Sequence, residues 1–446
     1  MKKFLLYTIL GVAGLAMASC SRDEGPDSEI DFNVPQVAVT HDYPVGVFFR
    51  NPGTNGQDAT RYERMNQKWS DDDLQPAPEL DLVQGNYGID QNPNRLTDEM
   101  VECLQKDVDW CIGGGVDFWI LPALRAKQNT AYPDCLDGDG NLYDIIRGQI
   151  GSDVAGTGKR VDLKGKLKFV ATVNIEDPLC QSNWSTYDAD GNMLTAKTKV
   201  LSNTTLLEEN DDYVSLITNA EDGSIERLIR RSEVFAEMFK SLKRFFDDPN
   251  YYCVDGTRPL VVLQNAHKLY SADCKAFYDN LHAVVKELTG KDIYIVAQQE
   301  QSWNPPARYE YFFQGVDAVT NKNMYNQGNW SRSVNYPGMI KLNWAYNRDY
   351  FMSHWNIDFI PTGAPAFNGY VDNGNTDKPI VKHDVKTFSA MCNVMRYAAG
   401  RCNIMFIDSY NDLQYCSFLA PTKQGDEWPE GFGTEMLDVV KKEFKK

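Results

Sequence analysis

Between residues 401 and 422 the chain concentrates side chains that can exchange protons or hydrogen-bond a ligand. The run reads RCNIMFIDSYNDLQYCSFLAPT. Its apolar part, Ile404–Ile407, predicts a short buried strand. Asp408, Asn411, Asp412 and Tyr415 follow at once, and Pro421-Thr422 closes the loop. In an α/β barrel, catalytic groups sit at the C-terminal ends of the strands. Carboxyl groups gathered at such strand ends can serve as proton donor, base or nucleophile. Asp412 is the first candidate for one of them. Glu176, after the apolar run LKFVATVNI, and Glu300, after the run that ends in Gln298-Gln299, are the others. Asn411, Tyr415 and Asp408 are candidate substrate contacts. Asp408 has a second reading, turned down into the barrel onto backbone. Tyr415 is a poor acid near neutral pH, since a phenol titrates near pH ~10. A buried strand followed by an ordinary polar turn accounts for the same residues, and the elements around them must decide.

Aromatic faces are the other sugar-binding chemistry, because a pyranose ring has apolar faces and a polar edge. Aromatic residues make up 12% of the chain. Trp119, Trp303, Trp344 and Trp355 are candidate platforms. Trp119 lies inside the apolar run VDFWIL and reads better as core. Trp303 and Trp330 lie in loops rich in Pro and Asn and are better placed. The chain has five histidines, none paired at ligand spacing, which argues against a catalytic zinc. His267 reads as structural. The runs DGDGN (137–141) and DADGN (188–192) resemble calcium loops but lack the distal glutamate, and tight turns are the better reading. No glycine-rich phosphate loop follows any strand. No metal and no cofactor are expected.

The elements that would position these groups alternate. Apolar runs near residues 45, 116, 169, 260, 293, 316, 358 and 404 predict eight strands. Helical spacing appears after Thr97 (Met100, Val101, Leu104, Val108, Cys111), and Gly113-Gly114-Gly115 ends it. Thr97 to Met100 has capping-box spacing, with Met in place of Glu. Further amphipathic helices are predicted over 232–246, 272–288 and 386–399, the last stopped by Gly400. Strands alternating with helices imply a parallel sheet. Eight of them predict an α/β fold of the (β/α)8 TIM-barrel type. An open doubly wound sheet is the alternative.

Composition narrows the class. The 446 residues carry a formal charge of −17, which weighs against nucleic acid as partner. At the N-terminus, Lys2-Lys3 precede the apolar run Phe4–Met17, and Ala18-Ser19 precede Cys20. This reads as a secretory signal peptide. The small residues before Cys20 are similar to a bacterial lipobox, which implies lipidation at Cys20. The acidic Ser21-Arg22-Asp23-Glu24 resembles the export signal of Bacteroidetes surface lipoproteins. The expected organisation is a signal peptide over 1–20, a tether over 21–40 and one barrel domain over 41–446. The expected location is the outer membrane, at the cell surface, held by the lipid alone. Besides Cys20 there are nine cysteines, an odd number with no CxxC pair. Cys103, Cys111, Cys392 and Cys402 read as buried thiols.

Four stretches together resemble the glycoside hydrolase family 99 endo-α-mannosidases and their WbsX-like relatives. They are the helix leading into GGGVDFWIL, the run MFKSLKRFFDDPNYYCVDGTRPLVVL, the run DFIPTGAPAFNGY, and IDSYNDLQYCSFLAPT. The resemblance spans about residues 41–446. It implies a (β/α)8 barrel acting on a mannose-containing or related glycan, with an oligosaccharide or polysaccharide as partner. In the family signature two glutamates three residues apart carry the chemistry. The first matches Asp412 and the second matches Tyr415, which is not a carboxylate. Asn411 is kept. Glu176 matches a sugar-contacting glutamate, and Tyr370 falls in the third stretch as a substrate contact. Two functions remain open: a glycoside hydrolase, or a non-catalytic glycan-binding surface lipoprotein on a degenerate hydrolase barrel. Oligomeric state is not legible.

Overall fold

The protein is described from a computed structural model. It describes residues 34–50, 96–126, 136–137, 140–152, 158–175, 186–194, 207–209, 212–218, 225–299, 310–326, 336–368, 380–381, 383–412, 415, 417–422 and 433–446. Eight parallel strands form a barrel: β1 (Val45–Phe48), β2 (Phe118–Ala126), β3 (Lys168–Asn174), β4 (Arg258–Gln264), β5 (Tyr294–Gln299), β6 (Ala318–Asn321), β7 (Asp358–Ile360 and Thr362–Gly363) and β8 (Met405–Ile407). Each pairs in parallel with the next, and β8 pairs with β1 at Val45↔Met405.

The ring closes through β7. Its first half pairs with β6, at Ala318↔Asp358. Its second half pairs with β8, at Thr362↔Phe406. Pro361 separates the halves and has no N–H to donate. Thr362-Gly363 lies beyond the apolar run that begins at Asp358 and still pairs as strand. Gly363 has no room for a side chain, since a Cβ there would lie 2.5 Å from the sulfur of Met395.

The helices around the ring are α1 (Asp98–Gly113), α2 (Gly140–Ile146), α3 (Val234–Phe246), α4 (Cys274–Thr289), α5 (Tyr336–Trp355), α6 (Val385–Tyr397) and α7 (Glu435–Phe444). The strict alternation expected from the sequence fails in two places. Between β5 and β6 the described chain has only a 3-10 turn, Glu310–Phe313. Between β3 and α3 it carries a small antiparallel sheet of Thr186–Tyr187, Tyr213–Thr218 and Ile225–Arg230. Among the described residues no helix is long and apolar enough to cross a membrane.

Local chemistry explains the helix ends. Thr97 caps α1 by accepting from the Met100 N–H, and the Met100 sulfur in turn accepts from the Thr97 N–H. The capping box is thus formed with a thioether in the place of a carboxylate. The α3 face predicted to be apolar is buried, and Phe245 packs edge-on against Phe169 of β3. In the DADGN turn, Asp188 accepts from the N–H groups of Asp190 and Asn192, as in a tight turn.

A repeated device makes the floor of the barrel rigid. Gly115, Gly315 and Asn356 adopt left-handed backbone angles, with φ of 77°, 93° and 54°. Each is followed two residues later by an aspartate whose carboxylate receives N–H groups beside a neighbouring strand. Asp117 accepts from Val45 at 2.6 Å, Asp317 from Ile295 at 2.8 Å, and Asp358 from Arg401 and Cys402 at 2.7 and 2.8 Å. The motif is left-handed residue, apolar residue, Asp. It satisfies backbone donors that would otherwise be orphaned near the starts of the strands.

Candidate functional site

The C-terminal ends of the strands open into a cavity of about 380 Å³. Every strand or the segment just after it contributes to the wall, as a barrel mouth requires. Phe48 to Arg50 come from β1 and Ile120 to Ala123 from β2. Thr172 belongs to β3, Gln264 to β4 and Gln298 to β5. Lys322 and Asn323 follow β6, Phe367 follows β7, and Asp408, Asp412 and Tyr415 follow β8.

The segment after β8 is held tightly enough to aim its side chains. Asp408 N–H donates to Gly363 O, Ser409 N–H to Ser417 O, and Tyr410 N–H to Phe48 O. The Asp408–Ser409 peptide is cis. Asn411-Asp412 pairs antiparallel with Ser417-Phe418 to form a two-rung ribbon. The Ser409 hydroxyl donates to Ser417 O at 2.8 Å and accepts from the Asp412 N–H at 2.6 Å. Asn411 does not point into the cavity as a substrate contact. Its side chain accepts from the Arg50 N–H at 2.7 Å and donates to Arg50 O at 3.0 Å, tying the end of β1 to the end of β8.

The centre of the site is an ion triad. The Arg50 Nη2 donates to Asp408 Oδ1 at 2.9 Å, and Arg50 Nε lies 3.4 Å from Asp412 Oδ2. The Arg50 side chain is 43% exposed, against 10% and 15% for the two aspartates, so the cation faces the cavity while the carboxylates flank it. Attraction to Asp408 is the largest influence on Arg50 and raises its pKa. Burial opposes it, and Asp412 adds to it. Asp408 therefore meets the cavity and Arg50 with its side chain, rather than turning down into the barrel.

Tyr415 stacks on Phe367, with ring centroids 5.6 Å apart and planes at 4°. Its N–H lies 3.4 Å from Asp412 Oδ1. Across the mouth, Lys322 Nζ donates to Asn265 Oδ1 at 3.2 Å, and Asn265 Nδ2 donates to Asn174 Oδ1 at 3.2 Å. Among the described residues the cavity thus presents two carboxylates, two cations, the carboxamides of Gln264 and Gln298 and the Tyr415–Phe367 pair, while the Asn323 amide is engaged by Ser417 Oγ and the Tyr325 N–H. Carboxamides supply both donors and acceptors, which suits vicinal hydroxyls. Among the described residues no group of three or more His, Cys, Asp or Glu is arranged to hold a metal ion.

No protein-family model and no curated protein matches the chain. Solved structures do. A glycoside hydrolase-like protein superposes with a TM-score of 0.65 at 20% identity, over 93% of this chain and 97% of that one. The glycoside hydrolase family 99 endo-α-mannosidase from Bacteroides thetaiotaomicron, in complex with BIS-TRIS-propane, superposes with a TM-score of 0.50 at 13% identity, over 91% and 97%. The fold is that of the TIM-barrel glycoside hydrolases.

Of the residues singled out from the sequence, Asp408, Asp412 and Tyr415 converge on the mouth. Glu176, Glu300, Tyr370, Trp303, Trp330 and Cys20 lie outside the described residues. Trp344 is a correction: it is wholly buried in the core and is no sugar platform. Trp119 is core as read, and His267 is buried. Cys103, Cys111 and Cys392 are buried, while Cys402 is only partly buried. Sequence reasoning missed Arg50, Lys322, Gln298 and Phe367. Arg50 had a usable signal, since HDYPVGVFFR ends an apolar strand in a charge, the same pattern that singled out Asp408.

Proposed function

We propose that the barrel mouth binds a mannose-containing or related oligosaccharide and holds it without cleaving it. The observation that carries this reading is Arg50 beside both Asp408 and Asp412. Hydrolysis requires one carboxyl group to be protonated so that it can act as acid. One guanidinium contacts both carboxyl groups, so they are gathered on a cation rather than set apart across a bond to be cut. Two anions bridged by a cation make a good acceptor array for sugar hydroxyls and a poor acid–base pair. The Tyr415–Phe367 pair and the carboxamides support the same reading, as does the likeness of the fold to the glycoside hydrolases.

Hydrolysis is the second reading, and one observation favours it. The sequence runs from Ile175, just past β3, into Glu176, and from Gln299, the end of β5, into Glu300. We further propose that Cys20 is lipidated and anchors the protein at the outer membrane, facing outward. Calorimetric titration with α-mannan oligosaccharides, for the wild type and Asp412→Ala, tests the binding reading. Saturable binding by the wild type, lost in the variant, is expected. No heat from any glycan in a broad panel would count against both readings. Metabolic labelling with a fatty acid, abolished by Cys20→Ser, tests the anchor.

A further inference from the structure

Behind the ion triad lies a second acidic group that the binding reading does not use. Asp107, on α1, is completely buried. Its Oδ1 accepts a hydrogen bond from the Tyr410 hydroxyl at 2.5 Å. Tyr410 stands between Asp408 and Asp412 in sequence, is itself wholly buried, and takes its N–H to Phe48 O. Its ring lies parallel to Phe49, at 6.0 Å and 13°, and Phe49 stacks in turn on Trp119 at 4.5 Å. Leu419 and Ala420 both donate their N–H to Tyr410 O. One residue thus joins the outer helix, the end of β1 and both arms of the β8 ribbon.

We propose that Asp107 and Tyr410 are a positioning pair that sets where Asp408, Asp412 and Arg50 stand in the mouth. A buried carboxylate costs free energy unless a strong donor meets it. The Tyr410 hydroxyl supplies a donor to one oxygen of this buried carboxyl group at 2.5 Å. The bond spans 303 residues of sequence, so its effect is to fix loop against helix rather than to complete a local turn. The ring also fills a slot lined by Phe49 and Trp119. Removing the hydroxyl therefore leaves the packing in place and withdraws only the tether.

The inference rests on the mouth being the binding site, but its test has an arm that does not. Hydrogen–deuterium exchange of a peptide covering residues 405–412 reads the loop directly. Tyr410→Phe, which keeps the ring, is expected to speed exchange there about tenfold or more, the order set by losing a hydrogen bond to a charged group. Exchange over α6 should not change. Asp107→Asn, which still offers an acceptor to the phenol, should fall between Tyr410→Phe and the wild type. The affinity for an α-mannan oligosaccharide should weaken in the same order. A merely structural role would lower the melting temperature without this local pattern or this order. Unchanged exchange over 405–412 in Tyr410→Phe overturns the proposal, whether or not the glycan binds. A changed loop in a protein whose wild type ignores the glycan would sink the binding reading and leave the positioning pair standing.

Discussion

The Arg50 guanidinium donates to Asp408 Oδ1 at 2.9 Å from a side chain that remains 43% exposed. Its Nε lies 3.4 Å from Asp412. The side chain thus lines the mouth while its guanidinium reaches both acids. Arg50→Met removes the shared partner of Asp408 and Asp412 and leaves two partly buried carboxyl groups without it. The variant should be less stable than the wild type by roughly 1–3 kcal/mol. Urea denaturation of the two proteins checks this.

Asp412 sits on a two-residue ribbon with its N–H on Ser409 Oγ. Replacing its side chain leaves those backbone bonds intact. Asp412→Asn should weaken glycan affinity about tenfold, the order expected for a hydrogen bond to a charged group. Its melting temperature should stay within a few degrees of the wild type. Titration and calorimetry on the same samples separate the two effects.

His383 reports on the same ribbon. Its Nε2 lies 3.1 Å from Phe418 O, and burial lowers its pKa to about 4 despite that contact. An unfolded histidine titrates near pH ~6.5. Between those values the unfolded chain binds more protons than the folded one, so stability rises with pH. The wild type should therefore lose stability as pH falls from about 6.5 toward about 4. His383→Gln should flatten this part of the curve. Thermal unfolding across the window is the check, and parallel slopes for the two proteins would exclude His383 as the source.

Gly400 joins α6 to the turn before β8. A Cβ there would lie 2.1 Å from Asp358 Oδ1 and 2.3 Å from Phe359 O. Asp358 cannot yield easily, because it holds the N–H groups of Arg401 and Cys402. Gly400→Ala should destabilise the protein by more than about 2 kcal/mol, measured by chemical denaturation. Gly256→Ala, at φ 71° with nothing within 4 Å, should cost less, since only backbone strain opposes it.

The barrel was legible because its strands are short apolar runs bounded by turn residues, such as VGVFF at 45–49 and LKFVATVNI at 167–175. Two kinds of feature were not. The insertion of Tyr213–Thr218 and Ile225–Arg230 pairs with itself outside the barrel, and its mixed polar pattern does not mark it as sheet. Thr362-Gly363 carries no apolar run and follows Pro361, yet the ring needs those residues to reach β8. In the site, Asp408, Asp412 and Tyr415 were visible as polar groups just after a strand. Arg50 was not weighed because its meaning comes from two acids more than 350 positions away. Asn411 was visible, but not that its side chain accepts from and donates to the Arg50 backbone. Residue type and position identify a polar strand end, while only the fold shows which of those groups neutralise one another.

The central claim is that Arg50 gathers Asp408 and Asp412 into one binding array, so the mouth binds glycan without cutting it. Product analysis of α-mannan oligosaccharides after prolonged incubation tests it most directly. The account predicts oligosaccharides recovered at full length, retained by the wild type and not retained by Asp412→Ala. Shortened products formed by the wild type, and absent with Asp412→Ala or Glu176→Gln, would contradict it and establish hydrolysis.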